Sequence, residues 1–129
     1  MFIKVLKAKI HRARVTGADI NYEGSLTLDP DLMRRAGMLP YELVQVYDIT
    51  SGARIETYLI EGKRGSREVV TNGAAARLVK EGDLVIVASY ALISPSEVAH
   101  HQPKIVLLDG EDNRIKEVRQ GSLFIGGAG

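Results

Sequence analysis

The segment Tyr22-Glu23-Gly24-Ser25-Leu26 holds the residue types that a backbone rearrangement needs. A serine hydroxyl that follows a glycine can attack the glycine carbonyl, which converts the peptide bond into an ester and frees the serine amine. Glycine suits that place because it lets the chain take up a strained, sterically open geometry. β-Elimination of the ester would then expel Gly24 as a carboxylate. Hydrolysis of the resulting dehydroalanine would leave a pyruvoyl group at a new N-terminus. A Gly-Ser pair is equally at home in a turn between strands, and the local signal alone does not separate the two readings.

Several other residues could support chemistry beside that segment. The Tyr58 phenol can act as a general acid when held within hydrogen-bond reach; the plain alternative is a strand tyrosine with its hydroxyl at a wet edge. Arg54 can offer a carboxylate two parallel hydrogen bonds, and Lys9 is a second cation. Either could instead be a solvated strand charge among the 17 basic residues. Asn72-Gly73-Ala74-Ala75 reads as the start of a helix, where free N–H groups favour an anion and small side chains allow close approach. A tightly packed helix start explains it as well. His11 stands alone in a strand-like run. His100 and His101 are adjacent, so a regular element would not put them on one face. They have no further ligands at metal spacing and read as surface residues, and no metal site is expected.

The elements that must position these groups are mostly short strands. Alternation runs through Phe2–Ile10, then Ala13–Thr16, and again through Arg54–Ile60. Leu43–Ile49 is rich in β-branched and apolar residues, and Leu84–Ala91 is a continuous apolar run suited to burial on both faces. Lys104–Leu108 and Arg114–Val118 complete the set. Three short helices interrupt them. Asp29 caps the first, with Pro30 at its first position and Gly37 at its end. The second starts near Asn72 and runs to Gly82. Ser94-Pro95-Ser96-Glu97 is a capping box that opens the third. Many short strands with few helices argue for a mainly β fold closed into a barrel, not for a βαβ sheet. The final Gly126-Gly127-Ala128-Gly129 reads as a frayed tail.

Composition narrows the function. The 129 residues suit one domain spanning 1–129, and the formal net charge of +1 comes without a clustered basic face. That argues against a nucleic-acid partner. Cysteine is absent, which removes disulfides and thiol chemistry and fits a reducing compartment. No apolar run is long enough for a signal core or a membrane span, so the expectation is a cytoplasmic protein without a membrane partner.

The motifs as a set resemble the aspartate 1-decarboxylase family. The likeness begins with Lys9-Ile10-His11-Arg12-Ala13-Arg14-Val15-Thr16 and continues through Ala18-Asp19 and Tyr22-Glu23-Gly24-Ser25. It returns at Arg54-Ile55-Glu56-Thr57-Tyr58, at Arg64-Gly65-Ser66 and at Asn72-Gly73-Ala74-Ala75-Ala76, then at Gly82-Asp83 through Ser89-Tyr90. These blocks keep their order over about the first three quarters of the chain; beyond Ser94 the match is looser. The resemblance implies a double-psi β-barrel and a homotetramer with sites between neighbouring subunits. It implies decarboxylation of L-aspartate to β-alanine on the route to pantothenate. The cofactor would be a covalent pyruvoyl group made from Ser25 by autocatalytic cleavage into residues 1–24 and 25–129, forming a Schiff base with the substrate amine. Within that resemblance Tyr58 is the proton donor, Thr57 assists cleavage near the Gly24 carbonyl and contacts substrate, and His11 assists cleavage. Arg54, Lys9, Asn72, Gly73, Ala74 and Ala75 bind substrate.

Thr57 and Tyr58 would face opposite sides of a regular strand, so one site can use both only if the strand bends or two sites share it. Two other readings compete. One is a small β-barrel binding module of the DNA-binding type. The other is a pyruvoyl decarboxylase acting on a different amino acid, since glutamate also carries two carboxylates.

Overall fold

The computed structural model describes residues 1–120, and the glycine-rich tail read at 126–129 lies outside them. Nine strands follow in the order β1 (Ile3–Arg14), β2 (Gly17–Asp19), β3 (Ser25–Leu28), β4 (Leu43–Asp48), β5 (Arg54–Glu61), β6 (Val69–Asn72), β7 (Leu84–Ile93), β8 (Lys104–Leu108) and β9 (Ile115–Gln120). Two helical turns, α1 (Pro30–Ala36) and α2 (Ala75–Leu78), and a 3₁₀ segment over Pro95–His100 fill the connections. The fold is mainly β with few short helices, as the patterning predicts.

The strands lie in the order β2-β6-β3-β5-β4-β7-β1-β8-β9. Only Val15 and Thr16 separate β1 from β2, and Thr16 N–H donates to the Val69 carbonyl at the start of β6. The two ends of the run β2 to β1 are therefore one stretch of chain, and the sheet closes on itself. Closure encloses one core, with β8 and β9 extending the wall beyond β1. That core includes Ala8, Ile10, Leu26, Leu28, Val44, Val46, Leu59, Val69, Val85, Val87 and Val106. Leu32, Met33 and Ala36 of α1 are buried with them.

Local chemistry explains the elements. Asp29 accepts from the Asp31 N–H, Pro30 opens α1, and Gly37 ends it at φ +70°. The Ser94–Glu97 capping box forms in full, but it opens a 3₁₀ segment rather than an α-helix. Residues 3–14 form one strand, not two. The break read near residues 11 and 12 is a register shift between His11 and Ala13, with Arg12 at φ 67°. The second helix is only four residues, because Asn72 belongs to β6 and Gly73 turns left-handed at φ +67° before the helix can begin. His100 is exposed, but His101 is half-buried and its ring meets the Leu6 carbonyl, which corrects the surface reading of that residue.

Candidate active site

A cavity of about 440 Å³ is lined by Gly24, Leu43, Ile55, Glu56, Thr57, Tyr58, Ala74, Ala75 and Leu78. Five of the residues singled out in the sequence therefore meet at one place. The strand register shows how. β3 pairs with β5 from Leu26↔Leu59 onward, so the edge of β5 before Leu59 has no partner on that side. Gly24 stands just before β3 at this open edge. A cavity beside an unpaired strand edge is reached by side chains from both faces, which is why Thr57 and Tyr58 both line it.

Ser25 is 1% exposed, whereas Gly24 is open to solvent. The Ser25 hydroxyl donates to the Glu23 carbonyl at 3.1 Å and accepts from Asn72 Nδ2 at 3.0 Å. The same amide donates to the Thr27 hydroxyl at 2.8 Å. Asn72 is thus aimed by two hydroxyls of β3, and it fixes the Ser25 side chain. Its place across the β3–β6 pairing, Ser25↔Asn72, makes this contact obligatory.

Gly24 is not itself in a left-handed conformation, and a Cβ there would meet nothing within 4 Å. The demanding glycine is Gly73. A Cβ on Gly73 would lie 2.8 Å from both Gly24 Cα and Gly24 N and 2.9 Å from the Tyr22 carbonyl oxygen. The special backbone expected at residue 24 is supplied by its neighbour across the site.

The anion site read at the start of the second helix takes a different form. Gly73 N–H is occupied by the Asp19 carbonyl at 2.7 Å. Ala74 is helical in conformation and offers no side-chain cap. Among the described residues the Ala74 and Ala75 N–H groups donate to no acceptor, and they remain, with the small faces of both residues, in the cavity wall.

Tyr58 is half-buried, with its ring 6.5 Å from that of Tyr41 and tilted by 34°. No hydrogen bond joins Thr57 to Gly24 among the described residues. Arg54, Lys9 and His11 are not in the cavity wall. They lie on the outer face of the sheet, where the register runs Arg54↔Tyr47, Tyr47↔Ile86 and Ile86↔His11. Lys9 lies on the same face two residues from His11. Three strand spacings separate β5 from β1, or about 14 Å. Burial, then the nearby charges of Lys9, Arg12 and Arg119, hold the His11 imidazole below its ordinary value. Its Nδ1 is buried without a hydrogen-bond partner.

Sequence reasoning gave no role to Glu56, Leu43 and Leu78, all of which line the cavity. For Glu56 a signal existed: it alternates between Arg54 and Tyr58 on one strand, and so shares their face. Among the described residues no group of three or more potential ligands could hold a metal ion, and no helix is long and apolar enough to cross a membrane.

Comparison with known proteins agrees with the residue blocks. Residues 1–116 match the model of the family described as aspartate decarboxylase, so the likeness extends well past Ser94. Aspartate 1-decarboxylase of Pelotomaculum thermopropionicum is 54% identical over 121 residues, covering 94% of this chain and 91% of that protein. That of Syntrophobacter fumaroxidans is 57% identical over 110 residues, covering 85% and 88%. That of Legionella pneumophila strain Lens is 53% identical over 116 residues, covering 90% and 86%. Among solved structures, the computationally designed msDPBB_sym2 protein, a double-psi β-barrel, aligns with TM-score 0.42 at 20% identity, covering 67% of this chain and 99% of the design. A family match over residues 1–116, with relatives above half identity along most of their length, shows that this chain belongs to the aspartate decarboxylase family.

Proposed function

We propose that this chain is an aspartate 1-decarboxylase that matures by cutting itself between Gly24 and Ser25, leaving residues 1–24 as one chain and 25–129 as another headed by a pyruvoyl group. One observation carries the reading. The open Gly24 shares a cavity with Thr57 and Tyr58, while the next residue, Ser25, is buried with its hydroxyl held by Asn72.

The chemistry of maturation follows from those positions. Ser25 Oγ adds to the Gly24 carbonyl carbon, the C–N bond breaks, and the Ser25 nitrogen leaves as an amine. Loss of the Ser25 α-proton expels Gly24 as a carboxylate. Water then replaces the nitrogen at Cα, which departs as ammonia. Asn72 keeps the hydroxyl from turning away from the chain, and Thr57 borders the same space. The residues fit the product, because position 25 directly follows the cavity-lining Gly24, is shielded from bulk water and keeps an amide donor beside it.

A pyruvoyl group supplies the electron sink that loss of an α-carboxylate as carbon dioxide requires. This chain's own residues do the rest. Arg54 and Lys9 hold the two carboxylates of aspartate by charge-assisted hydrogen bonds. Ala74 and Ala75 present no bulk, so substrate can approach the backbone. The Tyr58 hydroxyl delivers a proton to the carbon that carbon dioxide leaves. In a single chain Arg54 and Lys9 stand apart from the cavity, so a homotetramer with sites between subunits would bring such cations to it. Leu43, Leu78 and Tyr41 are exposed around the cavity and are the surface such an assembly would cover.

The test is the intact mass of the purified protein under denaturing conditions, together with β-alanine formation from L-aspartate. Two fragments divided before residue 25, the larger without a free amine, are expected, and Ser25→Ala should remain one chain without activity. A chain that stays at 14.1 kDa after prolonged warming with cell extract would remove the self-processing reading.

A further inference from the structure

Arg54 is held in an unusual way for a surface cation. Its guanidinium carbon lies 4.1 Å from the centroid of the Tyr47 ring, on the neighbouring strand. The Tyr47 hydroxyl lies 2.6 Å from the Tyr90 hydroxyl, on the strand beyond that. Ala88, paired with Gln45, is the small residue between Ile86 and Tyr90 on this face, and it leaves room for the two phenols to meet above it. Three adjacent strands thus converge on one positive charge.

No acid neutralises that charge. Among the described residues no carboxylate forms an ion pair with Arg54, so its donors are not taken up by an acid. The nearest candidate on its own strand face, Glu56, instead accepts from Gln45 Nε2. Tyr90 does not supply a negative charge either. Burial, and next its bond to Tyr47, push the Tyr90 hydroxyl up to about 12, so it stays neutral. An aromatic face attracts a guanidinium in its plane-on orientation and leaves the N–H groups at its rim unused. An acid partner would have occupied those donors.

Resting on the assignment of Arg54 to a substrate carboxylate, we propose that Tyr47 and Tyr90 are positioning residues: Tyr47 is the platform that orients the Arg54 guanidinium, and Tyr90 locks that platform through its hydroxyl. The pair holds the cation in place while leaving its donors free for a carboxylate. Tyr90 touches no substrate; it acts through Tyr47, and Tyr47 acts through Arg54.

The experiment uses the processed enzyme, compared as Tyr90→Phe, Tyr47→Phe, the Tyr47→Phe/Tyr90→Phe double variant, Tyr47→Leu and Arg54→Ala. Kinetics with L-aspartate are paired with calorimetric binding of succinate, which has both carboxylates and no amine, to the uncleaved Ser25→Ala chain carrying the same changes. Either Phe variant should raise KM, and weaken succinate binding, about fivefold, the size of one lost hydrogen bond, with kcat within about twofold. The double variant should be no worse than either single one, because all three remove the same bond. Tyr47→Leu should cost at least about tenfold by removing the platform. Additive Phe effects, or a fall in kcat at unchanged KM, would overturn the positioning role. If Arg54→Ala weakens binding while none of the tyrosine variants does, the platform is wrong and the Arg54 assignment stands. If Arg54→Ala leaves both KM and succinate binding unchanged, the Arg54 assignment itself fails.

Discussion

Gly73 gives the sharpest test of the site's geometry. Gly73→Ala would place a methyl group 2.8 Å from Gly24 Cα and N and 2.9 Å from the Tyr22 carbonyl oxygen. These atoms are backbone and cannot rotate aside. The residue also sits at φ +67°, where an L side chain costs about 1–2 kcal/mol. Overpacking adds about 1–3 kcal/mol, so the expected loss is about 2–5 kcal/mol. For a chain of this length that lowers the melting temperature by roughly 10 °C or more. The measurement belongs on the Ser25→Ala background, where the chain stays whole. The wild-type background gives the second readout. Relief of the clash must move Gly24, so fragment formation should slow as well. Gly24→Ala is the internal control, since a Cβ there meets nothing and φ is not left-handed. It should leave stability nearly unchanged. If Gly73→Ala melted and matured like the parent, the close approach of residues 73 and 24 would not be what shapes this site.

Three further outcomes follow from other parts of the molecule. Tyr58→Phe keeps the ring in the cavity wall and removes only the hydroxyl, so fragments should form normally while kcat falls by about 10²-fold or more; unchanged turnover would remove Tyr58 as the proton donor. Asp48 is buried, with Oδ2 unpartnered and the Asp83 carboxyl facing it; burial, then that neighbour, raises its ionisation above the ordinary carboxylate range. Between the ordinary aspartate value and the raised one the folded state holds a proton that the unfolded state has released, so the penalty grows as pH rises through that window. Asp48→Asn should accordingly raise the denaturation midpoint at pH 7 and do so less at pH 4; the reverse order would refute the raised ionisation of Asp48. His11 has a lowered ionisation, so its ring resonances should titrate below the ordinary histidine range, and its contribution to stability should disappear as pH falls below 6.5 through that lower value.

The parts of the fold that were legible in the sequence are those with local chemistry. Asp29, Pro30 and Gly37 bound α1 because a cap, a fixed φ and a left-handed stop are properties of single residues. The runs at 43–49, 54–60 and 84–91 became β4, β5 and β7 because alternation or continuous burial extends over six or more residues. The strands β2, β3 and β6 span only three or four residues, too few for a period to emerge, and they exist because distant partners complete their hydrogen bonds. The same limit governs the site. Arg54 through Tyr58 could be read along one strand. The contact of Asn72 with Ser25 bridges 47 positions, and the meeting of Tyr47 with Tyr90 bridges 43. Both depend on which strands the closed barrel brings side by side. The open edge of β5 that reconciles Thr57 with Tyr58 is likewise a fact of register, invisible until β3 is placed.

The position of β1 carries a consequence for the matured protein. This twelve-residue strand lies between β7 and β8, paired with Ile3↔Ile93 through Arg14↔Leu84 on one side and Ala8↔Lys104 through His11↔Leu107 on the other. A break before Ser25 would make it a separate peptide, woven into the centre of the wall and unable to leave without opening the barrel. Once unfolded, however, the two pieces would part, and recovery would require them to find each other at a rate set by concentration. The uncut precursor refolds as one molecule; the matured form would refold only as a complementation reaction. Heating and cooling a dilute sample would then discard activity that a concentrated sample regains, so the cut would turn a reversible fold into one that memorises its first assembly.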